Sequence, residues 1–189
     1  MFINKFYIFN AKKNTYNKMN KPSSNRLILL VYSFLIIILD QVTKYYVFNI
    51  IDYSESFVLV PNLLRITLEK NTGAAFSLFS NSTTFLTFIS LIVSAALIII
   101  LWKFTPRTKY NSIALPLILG GTIGNGLDRL FKGFVLDIFE LIPFKFPIFN
   151  IADIAINIAI LFMIIDLITR QKETKRKVNK PSILNLFNE

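Results

Sequence analysis

Four long runs of apolar residues constrain the fold of this chain more than any other feature. They cover roughly Leu27–Phe48, Thr83–Trp102, Ser112–Leu127 and Ile148–Thr169. A helix of about 20 apolar residues crosses the ~30 Å hydrocarbon core of a bilayer, so we interpret the runs as four transmembrane helices. Pro116 and several glycines interrupt the third run, but membrane helices tolerate them when neighbouring helices satisfy the freed backbone groups. The sequence therefore predicts an all-α membrane protein.

The composition excludes most hydrolytic chemistries. The chain contains no Cys and no His, which removes disulfides, thiolate metal sites, cysteine nucleophiles and Ser-His-Asp catalysis. Only 17% of the residues are charged and 53% are hydrophobic, whereas a soluble domain is about one quarter charged. Any hydrolysis must then depend on carboxylates, on Lys, or on Ser or Thr acting with Lys. We expect neither a metal ion nor another cofactor.

Basic residues mark one side of the predicted membrane domain. Of the 21 Lys and Arg residues, 15 lie in residues 1–26, in the loop 103–109 and from residue 170 onward, beside only two acids. Cytoplasmic segments carry such an excess, so both termini are predicted to be cytoplasmic, with two loops outside. The net charge of +10 is thus a topology signal, and nucleic-acid binding is not expected.

These signals divide the chain into three parts. Residues 1–25 are predicted to be a disordered cytoplasmic extension, and residues 26–170 a single four-helix membrane domain. Residues 171–189 are predicted to form a basic cytoplasmic tail, which we also expect to be disordered.

The first outer loop has a different period from the helices. Between residues 63 and 69, apolar side chains alternate with Arg65, Thr67 and Glu69, which is typical of a strand with one polar face. The apolar run 57–60 precedes it, and Pro61 with Asn62 supplies a turn signal. The pattern predicts a small β-hairpin between the first two helices, lying on the outer membrane surface.

Polar side chains inside and beside the predicted helices are candidates for a functional site, because ionisable groups are costly in a membrane and usually functional. Asp40 and Lys44 have the spacing of an ion pair on one helix face, and a structural pair is an equal alternative to a site role. The other candidates are Asn125, Asp128 and Arg129 on the third helix, Asn150 and Asp153 at the start of the fourth, Asn71 and Gly73 after the hairpin, and Asp137 in the second outer loop.

The rise of a helix places several of these residues at one depth. At ~1.5 Å per residue, a single level just beneath the outer surface contains Asp40, Asn125, Asp128, Asn150 and Asp153. Asp137 and Asn71 are expected above that level. Independent structural residues would not be expected to gather at a single depth, so we interpret the group as one site.

Two facing carboxylates in such a site suggest aspartic hydrolysis. One ionised Asp takes a proton from water while the other, protonated, polarises the scissile carbonyl, and burial beside a like charge supplies both states near neutrality. A carboxylate pair in a membrane can also bind protons or cations for transport, and a scaffold without activity is a third possibility.

The residues alone leave the partner of Asp153 open between Asp128 and Asp137. Asp128 has Arg129 beside it and Asn125 on its helix face, which favours a permanently ionised structural carboxylate. Asp137 is expected in a loop that can present it to a peptide.

Five sequence blocks occur in a characteristic order: DQVTK at 40–44, NTGAAF at 71–76, GNGLDR at 124–129, VLD at 135–137 and FNIAD at 149–153. In these blocks the chain resembles the bacterial lipoprotein signal peptidases (signal peptidase II), over about residues 26–170. The resemblance implies an aspartic endopeptidase of the bacterial inner membrane. Such an enzyme removes signal peptides from prolipoproteins by cutting before a diacylglyceryl-modified Cys.

The resemblance also implies roles for individual residues. It makes Asp137 and Asp153 the catalytic dyad, and it makes the hairpin a cradle that closes over the lipidated substrate. It assigns substrate binding or support of the site to Asn71, Gly73, Asn125, Arg129 and Asn150, and maintenance of its architecture to Asp128, Asp40 and Lys44. The expected partners are lipidated prolipoproteins and membrane lipid, and the chain is expected to be a monomer.

Overall fold

The computed structural model describes residues 26–73, 79, 81–103, 106, 108–144 and 146–178. The predicted extension 1–25, residues 74–76 of the second sequence block and the end of the tail at 179–189 lie outside the described residues. Within the described ranges the elements in chain order are α1 (Arg26–Ile50), β1 (Ser56–Val60), β2 (Leu64–Asn71), α2 (Thr83–Lys103), α3 (Lys109–Lys132), β3 (Val135–Leu141) and α4 (Ile151–Val178).

Each of the four apolar runs forms one long helix, as predicted. The prediction of a disordered tail directly after residue 170 is wrong for its first part, because α4 continues to Val178. Favourable helix formers such as Lys, Glu, Gln and Arg dominate this extension, so the helix continues after its apolar face has ended.

Three of the helices are long and apolar enough to cross a membrane: α1, α2, and α4 as far as Gln171. Large apolar side chains on them are widely exposed, as on Phe88 of α2 and Leu161 of α4. The third helix, α3, does not meet the same length and composition test, although it is 24 residues long. It packs against all three other helices, so it is the central helix of the bundle and needs less apolar surface of its own.

Two small residues of α3, Gly120 and Gly124, let α1 and α3 approach closely. A Cβ atom on Gly120 would lie 2.7 Å from Cβ of Ile36, and one on Gly124 would lie 2.8 Å from a carboxylate oxygen of Asp40. Neither distance is compatible with a real side chain. The two glycines therefore bring the polar residues of α1 and α3 into direct contact.

Besides the helices, the molecule contains a three-stranded antiparallel sheet with the strand order β1-β2-β3. The predicted hairpin is present as β1 and β2, but the assignment of Asp137 to a loop is wrong, because it lies within β3. Gly133 ends α3 in the left-handed conformation (φ 77°), which glycine adopts without strain. The chain thereby turns directly from α3 into β3.

Strand β3 presents its two faces to different surroundings. Leu136 and Ile138 are buried in an apolar cluster with Val47 of α1 and Leu68 of β2. Successive side chains of a strand point to opposite faces, so Asp137 projects from the other face, where it is 2% exposed. Because the side chains of β3 alternate between its two faces, packing of Leu136 and Ile138 in the apolar cluster directs the carboxylate of Asp137 towards α3 and α4.

Candidate active site

Asp137 and Asp153 are held by neutral amide groups. Asn150 donates from Nδ2 to Oδ1 of Asp137 over 2.6 Å, and Asn125 donates from Nδ2 to Oδ1 of Asp153 over 2.8 Å. Asn150 also donates to Oδ1 of Asn125 over 3.1 Å. A continuous chain of hydrogen bonds therefore joins the two carboxylates through two amides.

The start of α4 fixes the position of Asp153. The Asn150 side chain accepts from the backbone N–H of Asp153 at 3.0 Å, and Oδ2 of Asp153 accepts from the backbone N–H of Asn150 at 3.1 Å. This reciprocal arrangement is a capping box with Asp in the third helical position. The helix N-terminus also favours a negative charge there.

Asn71 at the end of β2 connects the sheet to the site. Its Nδ2 donates to Oδ2 of Asp137 over 2.9 Å, while its Oδ1 accepts from the backbone N–H of Gly73 at 2.9 Å. Asp137 also accepts a hydrogen bond directly from Asn150, so it lies in contact with the group of residues that was predicted at one depth.

A second pair of carboxylates, Asp40 and Asp128, surrounds the ammonium group of Lys44. Nζ of Lys44 lies 2.8 Å from Oδ2 of each carboxylate, and all three side chains are fully buried. Lys132 adds a second ammonium 2.8 Å from Oδ1 of Asp128. Lys44 also donates to Oδ1 of Asn125 over 3.2 Å, which connects this charged cluster to the amide chain.

The surroundings of Asp128 differ from those that the sequence suggested. Its ionic partners are Lys44 and Lys132, whereas Arg129 turns away and donates from its terminal NH2 group to the backbone oxygen of Gly73 over 2.9 Å. Arg129 precedes the end of α3 by three residues and follows Asp128 directly, so the two side chains leave the helix about 100° apart. The interpretation of Asp128 as an ionised structural carboxylate agrees with the structure, but through different partners.

Gln41 and Lys132 also belong to this charged cluster, although neither was predicted to be part of the site. Nε2 of Gln41 lies within hydrogen-bond distance of Asp40, of the Gly124 carbonyl and of Asp128. Lys132 follows Asp128 by four residues, the same spacing that identified Asp40 and Lys44. That spacing was visible in the sequence and could have revealed the pair.

Asp137 and Asp153 line the same cavity, which has a volume of about 570 Å³. Its polar wall also includes Asn71, Asn125 and Arg129, and its apolar wall includes Val135, Phe146, Pro147, Ile148, Phe149, Ile156 and Ile160. A peptide with apolar side chains fits such a lining, and both carboxylates are accessible from it. Asp40 and Asp128 do not line this cavity.

Burial changes the acidity of Asp137. Removal from water, and then the negative charge of Asp153, raise the pKa of Asp137 from 3.8 to about 7, against the opposing hydrogen bonds from Asn71 and Asn150. A carboxyl group with this pKa is partly protonated at neutral pH, which is a requirement for a general acid. Among the described residues, no group of three or more acidic side chains is placed to hold a metal ion.

Comparison with known proteins identifies the family. The family model described as Signal peptidase (SPase) II matches residues 32–169. A lipoprotein signal peptidase from Parasynechococcus marenigrum (strain WH8102) is 43% identical over 141 residues, which are 74% of this chain and 87% of that protein. A lipoprotein signal peptidase from Staphylococcus aureus is 35% identical over 147 residues, which are 77% of this chain and 88% of that protein.

Solved structures agree with this family assignment. One, described as a bacterial membrane enzyme studied by the in meso method at 2.3 Å resolution, matches with a TM-score of 0.72 and 34% identity, over 81% of this chain and 93% of that one. Another, described likewise at 1.9 Å resolution, matches with a TM-score of 0.67 and 33% identity, over 74% and 92%. The apolar helices and these relatives together indicate a helical membrane peptidase. The chain belongs to the signal peptidase II family.

Proposed function

We propose that this chain is an aspartic endopeptidase that removes signal peptides from prolipoproteins, cutting N-terminal to a diacylglyceryl-modified Cys. Membership of the signal peptidase II family supports the substrate class. One structural observation carries the mechanism: Asp137 and Asp153 face one cavity and are held by amides, with no ion pair to either among the described residues. Two such carboxylates can share one proton and exchange it with a substrate.

The dyad divides the chemistry between its two carboxylates. The N-terminus of α4 favours the ionised form of Asp153, so we assign the resting proton to Asp137. Asp153 takes a proton from water as the water oxygen bonds to the scissile carbonyl carbon, while Asp137 donates its proton to the carbonyl oxygen. When the tetrahedral intermediate collapses, the C–N bond breaks, Asp153 passes its proton to the leaving amine, and Asp137 recovers its own.

Arg129 is suited to hold the substrate backbone. Its Nε is buried and has no hydrogen-bond partner among the described residues, whereas its NH2 group is fixed on Gly73. A buried donor without a partner is costly, and a substrate carbonyl oxygen in the cavity would satisfy it. Arg129 would thereby orient the peptide relative to both carboxylates.

The membrane places the substrate at the site. We propose that α3 is the fourth transmembrane helix, that both termini are cytoplasmic in the bacterial inner membrane, and that the dyad lies near the outer face. The signal peptide is an apolar helix, and its diacylglyceryl anchor holds the scissile bond at that interface. Confinement to the membrane therefore offsets part of the positioning entropy. A monomer supplies every residue of this site.

A cleavage assay with matched substrates tests the proposal. The purified full-length chain is reconstituted in lipid vesicles with a prolipoprotein precursor, either diacylglyceryl-modified or unmodified at its Cys. We expect a single cut before Cys in the modified precursor and little cleavage of the unmodified one. Equal cleavage of both would contradict the lipid requirement. Absence of cleavage, with uptake of protons or cations by the vesicles, would instead indicate a transporter.

A further inference from the structure

A separate cavity lies between α3 and α4, at the end of the bundle away from the dyad. It has a volume of about 410 Å³ and is lined by residues of both helices, among them Lys109, Tyr110, Phe162 and Asp166. At the rise of a helix, Asp166 lies about 20 Å along α4 from Asp153. Small-molecule sites have volumes of about 300–1,000 Å³, so this cavity is large enough for a small ligand.

The carboxylate of Asp166 is only half satisfied in this cavity. Its Oδ2 lies 2.9 Å from Nε of Arg170, whereas its Oδ1 is buried and has no hydrogen-bond partner among the described residues. The side chain of Asp166 is 8% exposed, and a buried acceptor left without a partner is costly. A ligand that donates a hydrogen bond to Asp166 would satisfy this oxygen.

The charges around the cavity favour an anionic ligand. Asp166 and Arg170 neutralise each other, and Lys109 adds an exposed ammonium group, so the lining carries one net positive charge. Lys109 is also the first residue of α3. Thr108 caps this helix by accepting from the backbone N–H of Asn111, and the N-terminal end of a helix attracts phosphate. The ligand should therefore combine an anion with a hydrogen-bond donor.

The cavity also has an apolar side that suits a lipid. The rings of Tyr110 and Phe162 lie with their centroids 6.3 Å apart, and Ile113, which also lines the cavity, is exposed. Helix α4 is long and apolar enough to cross a membrane as far as Gln171, so the cavity lies near one end of a membrane span. A lipid there can place its headgroup among the polar residues and its acyl chains along the apolar ones.

We propose that this cavity binds the headgroup of an anionic phospholipid that carries hydroxyl groups, as phosphatidylglycerol does. The phosphate lies against Lys109 and the N-terminus of α3, one headgroup hydroxyl donates to Oδ1 of Asp166, and the acyl chains run along Ile113. With both termini cytoplasmic, as proposed above, the lipid belongs to the cytoplasmic leaflet, where basic pockets between membrane helices bind anionic headgroups. Lipid binding is measured without any precursor, so this inference goes beyond the proposed function.

Two anionic lipids, one with and one without headgroup hydroxyls, test the contact with Asp166. The full-length chain in a neutral detergent is titrated with dioleoyl-phosphatidylglycerol or with dioleoyl-phosphatidylmethanol, which has the same charge but no headgroup hydroxyl. Native mass spectrometry gives each Kd. We expect phosphatidylglycerol to bind at least about tenfold more tightly, since only its hydroxyl satisfies the carboxylate. Dioleoyl-phosphatidylethanolamine offers a donor without a net negative charge and should bind more weakly than phosphatidylglycerol.

Variants of the cavity separate the hydroxyl contact from the effect of charge. Asp166→Leu removes the acceptor, so the two anionic lipids should then bind equally, and phosphatidylmethanol should bind no more weakly than before because a negative charge has been removed. Lys109→Gln should weaken both lipids about fivefold and keep their ratio. Lys103→Gln is the matched control, because Lys103 is an exposed lysine at the end of α2 that does not line the cavity. It should change neither Kd.

Several outcomes would overturn the lipid site. Equal Kd values for phosphatidylglycerol and phosphatidylmethanol on the unmodified chain overturn it, as does tighter binding of phosphatidylethanolamine. It is also overturned if Asp166→Leu retains the preference, or if Lys103→Gln weakens binding as much as Lys109→Gln does. The comparison of lipids on the unmodified chain requires no variant, so it decides the matter even if a variant fails to fold. None of these outcomes depends on whether the chain cleaves prolipoproteins.

Discussion

The molecule contains two pairs of carboxylates in one polar network, and only one of the two pairs has ammonium partners among the described residues. Asp40 and Asp128 are fully buried and neutralised by the ammonium groups of Lys44 and Lys132. Asp137 and Asp153 are held within the same network but accept hydrogen bonds from uncharged amides and face a cavity.

This difference shows that burial alone does not identify a reactive carboxylate. An ammonium group within about 3 Å of a carboxylate favours the charged form of that carboxylate. An amide partner orients the carboxylate without removing its ability to bind a proton. The partner chemistry therefore divides the acids into a structural pair and a pair capable of catalysis.

The largest expected effect comes from Asp137→Asn. An amide cannot carry the proton that the proposed mechanism needs, so cleavage of a lipidated precursor should fall by about 10⁴-fold, with insertion and thermal unfolding of the protein retained. Asp52→Asn, in an exposed part of the loop after α1, is the matched control and should be fully active. Near-normal turnover by Asp137→Asn together with loss of turnover by Asp128→Asn would mean that the dyad is assigned wrongly.

The next effect is on stability and comes from Lys44→Met. Removing this ammonium leaves the carboxylates of Asp40 and Asp128 buried without their shared partner, which should lower the free energy of unfolding by about 3–5 kcal/mol. Lys132→Met, which removes the partly exposed ammonium at the same cluster, should cost about 1 kcal/mol or less. Denaturant unfolding in detergent measures both, and equal losses would contradict the distinction.

The pH dependence of cleavage should report the protonation of Asp137. Burial and Asp153 raise the pKa of Asp137 to about 7 in the folded chain, above its ordinary 3.8, so the proposed general acid loses its proton as the pH rises through about 7. Cleavage by the unmodified chain should therefore fall about tenfold for each pH unit well above that value. A rate that stays constant to about pH 9 would show that Asp137 is not the proton donor.

The raised pKa of Asp137 also makes the free energy of unfolding depend on pH. A carboxyl group with a raised folded-state pKa stabilises the fold fully below about pH 4, and this contribution is lost as the pH rises to about 7. The unmodified chain should thus lose stability relative to Asp137→Asn across that range, as measured by denaturant unfolding at several pH values. Parallel stability curves for the two proteins would contradict the assignment.

The smallest effect is expected from the ion pair on the sheet. Arg65 and Glu140 meet at 2.6 Å across β2 and β3, with side chains 40% and 25% exposed. Because water screens such a pair, Arg65→Ala should change the free energy of unfolding by about 1 kcal/mol or less and should leave kcat near that of the unmodified chain. A large loss of activity would indicate that this part of the sheet positions the substrate.

Local patterns predicted most of the elements but little of the long-range pairing. The apolar runs predicted all four helices, and the alternation between residues 63 and 69 predicted β2. Strand β3 was missed because its polar residues, Asp137 and Glu140, are three residues apart and do not give the strict alternation that indicates a half-buried strand. Its pairing joins positions such as Asn71 and Val135, which are far apart in the sequence.

For the site, the ion pair of Asp40 with Lys44 could be predicted because both residues belong to one helix. The contact of Lys44 with Asp128 could not, since it depends on how closely α1 and α3 pack. The contact of Arg129 with Gly73 could not be predicted for the same reason, since it requires the chain after β2 to lie close to α3.

The sequence by itself determined the apolar helices, and it determined that carboxylates are the available reactive groups, because it contains neither His nor Cys. Both follow from composition and local period, which need no knowledge of packing. The packing of the elements was needed to show that Asp128 shares Lys44 with Asp40, and that Asp137 and Asp153 face one cavity. That packing depends on the close approach of α1 to α3 at Gly120 and Gly124 and on the alternation that directs Asp137 out of β3. The neighbours of a carboxylate decide whether it is structural or available for catalysis, and the packing of the helices and strands determines those neighbours.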